Sequence, residues 1–300
     1  MRRTLQVSVL CLAAGVVSAC SNPEQVIQDP VPPTGAVRFI NAVPDTGAMD
    51  LRFVDIVENN AHYNVSFRDT PSTSGGVTIS TQLEYHPTKA GSRHFRIFLY
   101  GTTAAVASTV LVDTTVSIVE GHLYTAMMWG NAKSGANAPD HMRLTFIDEG
   151  VPDPGSGNVG LRVINTTGSS VDVRQYLSSG TVPTSATWSV AGSYDPNVAL
   201  TKYVNVPAGQ YKFNVRAAGA SSTLFTDALA LVGADPTCSS GVTCTSANYD
   251  TEALPGTTQA GSDVTAIIWP KSVSGTAAAS FSTPGISFVW DRRPPRPNGI

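Results

Sequence analysis

Five histidines, a repeated aspartate–arginine pair and four tryptophans are the residues of this 300-residue chain best suited to chemistry. His62, His86, His94, His122 and His141 all fall in its first half. Clustered imidazoles can hold a metal, but no two of these stand at the spacing of a known metal motif. Where the second half aligns with His86, His94 and His122 it carries Val204, Lys212 and Ser262, so the fold does not need imidazoles there. We read them as scattered surface or edge residues and assign no metal site. No G-x-S-x-G elbow and no glycine-rich loop leading from a strand into a helix is present, so no catalytic residue and no cofactor is assigned. Asp50 and Arg52 recur as Asp172 and Arg174. Two residues apart on a strand, each pair shares one face. Such a pair could grip a polar ligand, but more often it decorates a solvated sheet face. Trp129 and Trp269 recur at matching places in apolar runs, which packing explains. Trp188 is expected in a polar loop between strands, has no counterpart in the first copy, and is the tryptophan put forward for ligand contact.

These residues must be positioned by strands. Phe95, Ile97 and Leu99 alternate with His94, Arg96 and Phe98; Tyr211, Phe213, Val215 and Ala217 alternate with Lys212, Asn214 and Arg216. Period two means one buried face and one wetter face. The runs Tyr124 to Trp129 and Val264 to Trp269 are apolar on both faces and are expected to be central strands. The chain also repeats itself. Val37-Arg38-Phe39-Ile40-Asn41 matches Leu161-Arg162-Val163-Ile164-Asn165, and Met49-Asp50-Leu51-Arg52 matches Val171-Asp172-Val173-Arg174. Tyr85, Gly91 and Gly101 match Tyr203, Gly209 and Gly219, and Phe146-Ile147-Asp148 is aligned with Val289-Trp290-Asp291. We read a duplication. With about seven short strands per copy and no long helix, the expected fold is all-β: two tandem immunoglobulin-like antiparallel β-sandwich domains.

The ends speak of location. Arg2 and Arg3, the apolar stretch Leu5 to Val17 and then Val17-Ser18-Ala19-Cys20 have the form of a secretory signal peptide. The cysteine after the cut resembles the lipobox of bacterial lipoproteins, which implies lipidation of Cys20. Ser21 in place of an aspartate resembles the outer-membrane sorting pattern. An ordinary signal peptidase site and an uncleaved anchor are the rival readings; the apolar stretch is short for a bilayer of about 30 Å. The division is therefore 1–19 signal peptide, 20–35 lipidated Pro-rich tether, 36–149 first sandwich, 150–157 linker, 158–291 second sandwich and 292–300 basic Pro-rich tail. Extended, the tether would reach roughly 45 Å. Losing Arg2 and Arg3 with the leader takes the net charge from −3 to −5, which argues against a nucleic-acid partner. Cys238 and Cys244 remain close together in a Gly/Ser/Thr loop. An even remainder in an oxidising compartment reads as a disulfide, with two metal-ligating thiols as the alternative. Asn64-Val65-Ser66 and Asn165-Thr166-Thr167 fit the glycosylation pattern but are discounted in a bacterium.

The Arg-x-Ile-Asn-x-x-Pro-Asp opening (Arg38 to Asp45), the Met-Asp-Leu strand, the Ala-Gly turn and the Gly-x-x-Tyr-Thr strand (Gly121 to Thr125) together resemble a bacterial family, the domain of unknown function 4397. The resemblance implies envelope lipoproteins with tandem β-sandwiches and is silent on chemistry. It is weaker in the second copy, where Thr166-Thr167-Gly168 replaces the Pro-Asp. The expected function is a lipid-anchored, non-enzymatic envelope module that binds a protein or glycan or acts as a spacer. The alternative is an envelope hydrolase or metal-dependent enzyme with a loop-assembled site. Gly233 to Ala260, the largest difference between the copies, is a long insertion. Disorder and recognition are its two readings, and Tyr249 is its candidate contact.

Overall fold

The computed structural model describes residues 32–55, 62–69, 72–74, 77–79, 84–135, 137–238 and 249–295. Period-two alternation produces the strands as expected: Phe95, Ile97, Phe213 and Val215 are all but completely buried. In the first half, β1 (Thr34–Ala42), β6 (His86–Lys89), β9 (Leu123–Trp129) and β10 (Arg143–Asp148) form a sheet in the order β10-β9-β1-β6. A second sheet, β3-β2-β7-β8, is built from β2 (Met49–Phe53), β3 (His62–Val65), β7 (Gly91–Leu99) and β8 (Val110–Ile118). A short hairpin, β4 (Ser72–Ser74) with β5 (Val77–Ile79), stands apart. The second half repeats this plan. Its first sheet is β14-β11-β19-β20, from β11 (Asn158–Asn165), β14 (Val204–Pro207), β19 (Asp263–Trp269) and β20 (Gly285–Arg292). Its second sheet is β13-β12-β15-β16, from β12 (Val171–Leu177), β13 (Trp188–Val190), β15 (Tyr211–Ala217) and β16 (Ala228–Leu229).

All pairings within these sheets are antiparallel except β1 with β9 and β11 with β19, which run parallel. The chain alternates between the two sheets of each sandwich. β9 therefore returns beside β1 from the other layer instead of through a hairpin, and a crossover of that kind permits a parallel partner.

Three cores explain why the central strands are apolar on both faces. Each sandwich encloses its own core, around Phe39, Leu51 and Phe95 in one half and Val163, Val173 and Phe213 in the other. A third core joins Ile40, Met127 and Trp129 to Ile164, Ile267 and Trp269. The β1/β9 and β11/β19 sheets thus pack against each other, and four sheets stack in the order outer, inner, inner, outer. Even residues of β9 face their own sandwich and odd residues face the seam between halves.

One alignment drawn from the sequence is corrected by the register. Thr125 pairs with Ile147 and Thr265 pairs with Val289. The counterpart of Val289-Trp290-Asp291 is therefore Ile147-Asp148-Glu149, one residue later than sequence matching placed it. The end of β10 offered two adjacent acids, and matching chose the wrong one.

The insertion in the second half has a firm root. Ala234 and Leu254 exchange both backbone hydrogen bonds, at 3.1 and 2.9 Å, and Thr257 and Thr258 donate to Leu231 and Val232. Above the root, β17 (Thr237–Cys238) pairs with β18 (Tyr249–Thr251). Residues 254–258 thus belong to the base of the second half rather than to a dispensable loop. No helix among the described residues is long and apolar enough to cross a membrane.

Candidate functional site

The polar residues of the Arg-x-Ile-Asn-x-x-Pro-Asp segment are buried, and each has a structural partner. Asn41 donates to the Val65 carbonyl at 3.0 Å and accepts from Val43 N at 3.1 Å, which fastens β1 to the outer sheet. Asp45 accepts from Ala132 N and Lys133 N at 2.7 and 2.8 Å, closing the loop after β9. In the second half Asn165 repeats the first role, donating to the Ser169 and Ala191 carbonyls and accepting from Thr167 N. Asp45 has no equivalent there. Thr166 instead donates from its backbone and its hydroxyl to the Ile268 carbonyl, tying the same region with a neutral group.

Arg38 and Arg162 build a buried polar cluster at the seam. Arg38 Nε donates to Thr125 Oγ1 at 2.8 Å, and Arg162 Nε donates to Thr265 Oγ1 at 2.6 Å. Each guanidinium then crosses the seam or meets its border: Arg38 pairs with Asp291 at 2.6 Å and Glu149 at 3.0 Å, while Arg162 pairs with Glu149 and, at 3.4 Å, with Asp291. Thr125 donates to Glu149 and Thr265 to Asp291. A tyrosine covers each cation: Tyr85 lies 4.7 Å from the Arg38 guanidinium and Tyr203 lies 4.6 Å from that of Arg162. The arrangement repeats about a pseudo-twofold axis, with one arginine, threonine, tyrosine and acid from each half. Two cations and two anions balance at complete or near-complete burial. Burial by itself would lower the arginine pKa values, but the surrounding tyrosines and carboxylates hold both above their ordinary value. Burial would raise the Asp291 pKa, yet Arg38 and Arg162 keep it below the usual carboxylate range. Burial pushes the phenols of Tyr85 and Tyr203 upward. Both arginines, Asp291 and both tyrosines are thus held in their ordinary charge states, which suits a structural clamp better than proton transfer.

The sequence-singled residues are dispersed. Asp50 is buried, accepts from Asn64 N at 2.8 Å and pairs with Arg52, whose guanidinium lies between the rings of Tyr63 and Phe98. Asp172 is instead taken by Ser189 Oγ and Gly219 N, and Arg174 reaches the Thr184 carbonyl at 3.4 Å. His62 and His86 stack at 4.1 Å, His94 meets Asp113, His122 meets Asp148, and His141 meets the Ser134 carbonyl. No three His, Cys, Asp or Glu side chains among the described residues group as metal ligands would. Trp188 is not in a loop. It begins β13, is 8% exposed and stacks on Phe213 at 6.0 Å inside the second core, so its ring packs rather than faces solvent. Its strand is only three residues long, and the polar residues around it hid the alternation. Tyr249 lies in β18 opposite Cys238 in β17. Cys20 and Cys244 lie outside the described residues. The basic tail starts in ion pairs: Arg292 with Asp153 at 2.9 Å and Arg293 with Glu252 at 3.1 Å. Two shallow hollows, of about 440 and 470 Å³, lie along residues 137–143 and 271–282, away from the seam cluster.

Sequence reasoning missed Glu149 and gave no role to Arg38, Arg162, Tyr85 or Tyr203. A signal was present. An arginine at the centre of an apolar strand, repeated at the matching place, demands a buried acid.

No curated protein matches the chain. Among solved structures, a "putative cell adhesion protein" from Bacteroides fragilis aligns with 89% of this chain and 100% of its own at 12% identity, with a TM-score of 0.18. Residues 35–174 match the family described as Domain of unknown function (DUF4397). That span takes in Arg38, Asn41, Asp45, Glu149 and Arg162, the residues whose bonds are described above, and over it this chain resembles the DUF4397 family.

Proposed function

We propose that this chain is a cell-envelope module, anchored by lipid on Cys20 and sorted to the outer membrane, that binds a protein or glycan partner or spaces other parts rather than catalysing a reaction. The observation that supports this reading is the engagement of the repeated polar residues. Arg38, Asn41, Asp50, Arg162, Asn165 and Asp172 hold strands, loops and halves together through bonds inside the protein. Residues so committed would have to break those bonds to meet a substrate. The duplicated sequence pattern then encodes the scaffold, and recognition falls to what differs between the copies. The largest difference is the arm of residues 233–260, rooted by the Ala234–Leu254 bridge. A Cys238–Cys244 disulfide would stiffen its tip and lower the entropy lost on binding.

The test is capture from envelope extract by the intact lipidated protein, with and without residues 236–252. Loss of a specific partner on deletion supports the reading. Hydrolytic or metal-dependent turnover by the purified full chain would favour the enzyme alternative.

A further inference from the structure

Asp263 breaks the symmetry of the seam. It opens β19 on the side that Thr265, Ile267 and Trp269 present to the other half, and it is fully buried. Neither carboxylate oxygen has a hydrogen-bond partner among the described residues. The matching position in the first half is Leu123, paired with Ala36 where Asp263 pairs with Gly160. A Cβ on Gly160 would overlap the Asp263 carboxyl group, so the glycine is what admits it. The two arginines and two acids of the cluster already balance, which makes Asp263 a fifth charge with no counter-ion of its own.

The groups facing it explain which form fits. From β11 comes Arg162, committed to Glu149 and Thr265. From the segment before β14 comes the ring of Tyr203. From β20 come Asp291, a like charge, and Arg292, which is the register partner of Asp263 across a β-bulge. Arg292 is turned toward the linker, where it donates to the Pro152 carbonyl at 3.0 Å and to Asp153 at 2.9 Å. Arg38, Glu149 and Tyr85 lie beyond in the cluster, and Asp153 adds a further like charge from the linker. Burial, reinforced by Asp291, pushes the Asp263 carboxyl up to about 7.

We propose that Asp263 is a proton-operated latch on the seam edge: neutral while the edge is closed, and on ionising drawing Arg292 away from Asp153, so that the linker and the start of the C-terminal tail come loose. Arg292 is bonded to the linker, and its register partner across the bulge is Asp263. The tail lies at the same edge, with Pro295 against Gly261.

Hydrogen–deuterium exchange on the full chain, corrected for the intrinsic effect of pH, tests the latch at pH 5.5 and 8.5. Protection of residues 150–157 and 290–295 should fall about tenfold or more at the higher pH, since with a pKa of about 7 the ionised fraction rises from about 3% at pH 5.5 to about 97% at pH 8.5. Asp263→Asn, which keeps shape without charge, should hold both segments closed at both values. Unchanged exchange in the wild type, or the same pH response in Asp263→Asn, overturns the proposal. If the variant does not fold, the infrared band of a protonated carboxyl group decides. A band that titrates near pH 7 in step with the exchange supports the latch, and none above pH 5 refutes it.

Discussion

Replacing Arg38 by methionine should destabilise the protein far more than an ordinary core substitution of similar volume. Arg38 is completely buried and donates to Thr125, the Trp290 carbonyl, Glu149 and Asp291. Its removal leaves two buried carboxylates facing one cation, Arg162, which is only 3.4 Å from Asp291 but already committed to Glu149. Breaking a buried pair from one side costs about 3–5 kcal/mol. At roughly 2–4 °C per kcal/mol for a unit of this size, the melting temperature should fall by about 6–20 °C. Removing charge in balance should hurt less. Arg38→Met with Asp291→Asn leaves the Arg162–Glu149 pair intact and should recover part of the loss, a favourable coupling that a double-mutant cycle reads directly. Calorimetry of the four proteins at pH 7 is the assay. A single-variant loss below about 1 kcal/mol, or a double variant worse than the sum of its parts, would refute the clamp.

Stability should pass through a maximum in mildly acidic solution. Asp263 holds its proton more tightly when folded, so its contribution is complete below the ordinary aspartate value and is lost as pH rises through about 7. Asp55, lowered to about 2 chiefly by its hydrogen bond from Arg93, acts in the opposite sense: its contribution is present above the ordinary value of 3.8 and is lost as pH falls toward 2. Denaturant midpoints between pH 3 and 9 check this, and a midpoint still rising from pH 6 to 9 would contradict it. Asp45→Ala should cost about 1–3 kcal/mol, because two backbone donors lose their acceptor; a loss under 0.5 kcal/mol by urea titration would remove its loop-closing role. Thiol labelling of the full chain isolated from an oxidising compartment should leave Cys238 and Cys244 unmodified until a reductant is added, and prompt labelling would remove the proposed bridge.

The strands were legible because their alternation is strong: Phe95, Ile97, Phe213 and Val215 announce a buried face without help. The shared sheet plan of the two halves was foreshadowed by the ordered repeated segments. What sequence could not show was that Tyr124 to Trp129 is apolar on both faces because a second sandwich lies against it. A buried parallel strand and a strand between two sandwiches read alike. The seam cluster was hidden by a one-residue ambiguity between Asp148 and Glu149, since period-two reasoning needs the register to know which acid faces inward. Trp188 misled because a three-residue strand is too short to alternate visibly. Asp263 read as one more polar residue beside Ser262; only burial and its missing partners distinguish it.

The proposed attachment of this scaffold to a membrane through Cys20 is decided by the intact mass of the protein purified from the membrane fraction. The expected chain begins at Cys20 and is heavier than its sequence by two or three acyl chains, with Cys20→Ser either released or left as unprocessed precursor. A membrane-extracted chain of unmodified mass, or one recovered wholly in the soluble fraction with Cys20 free, would contradict it.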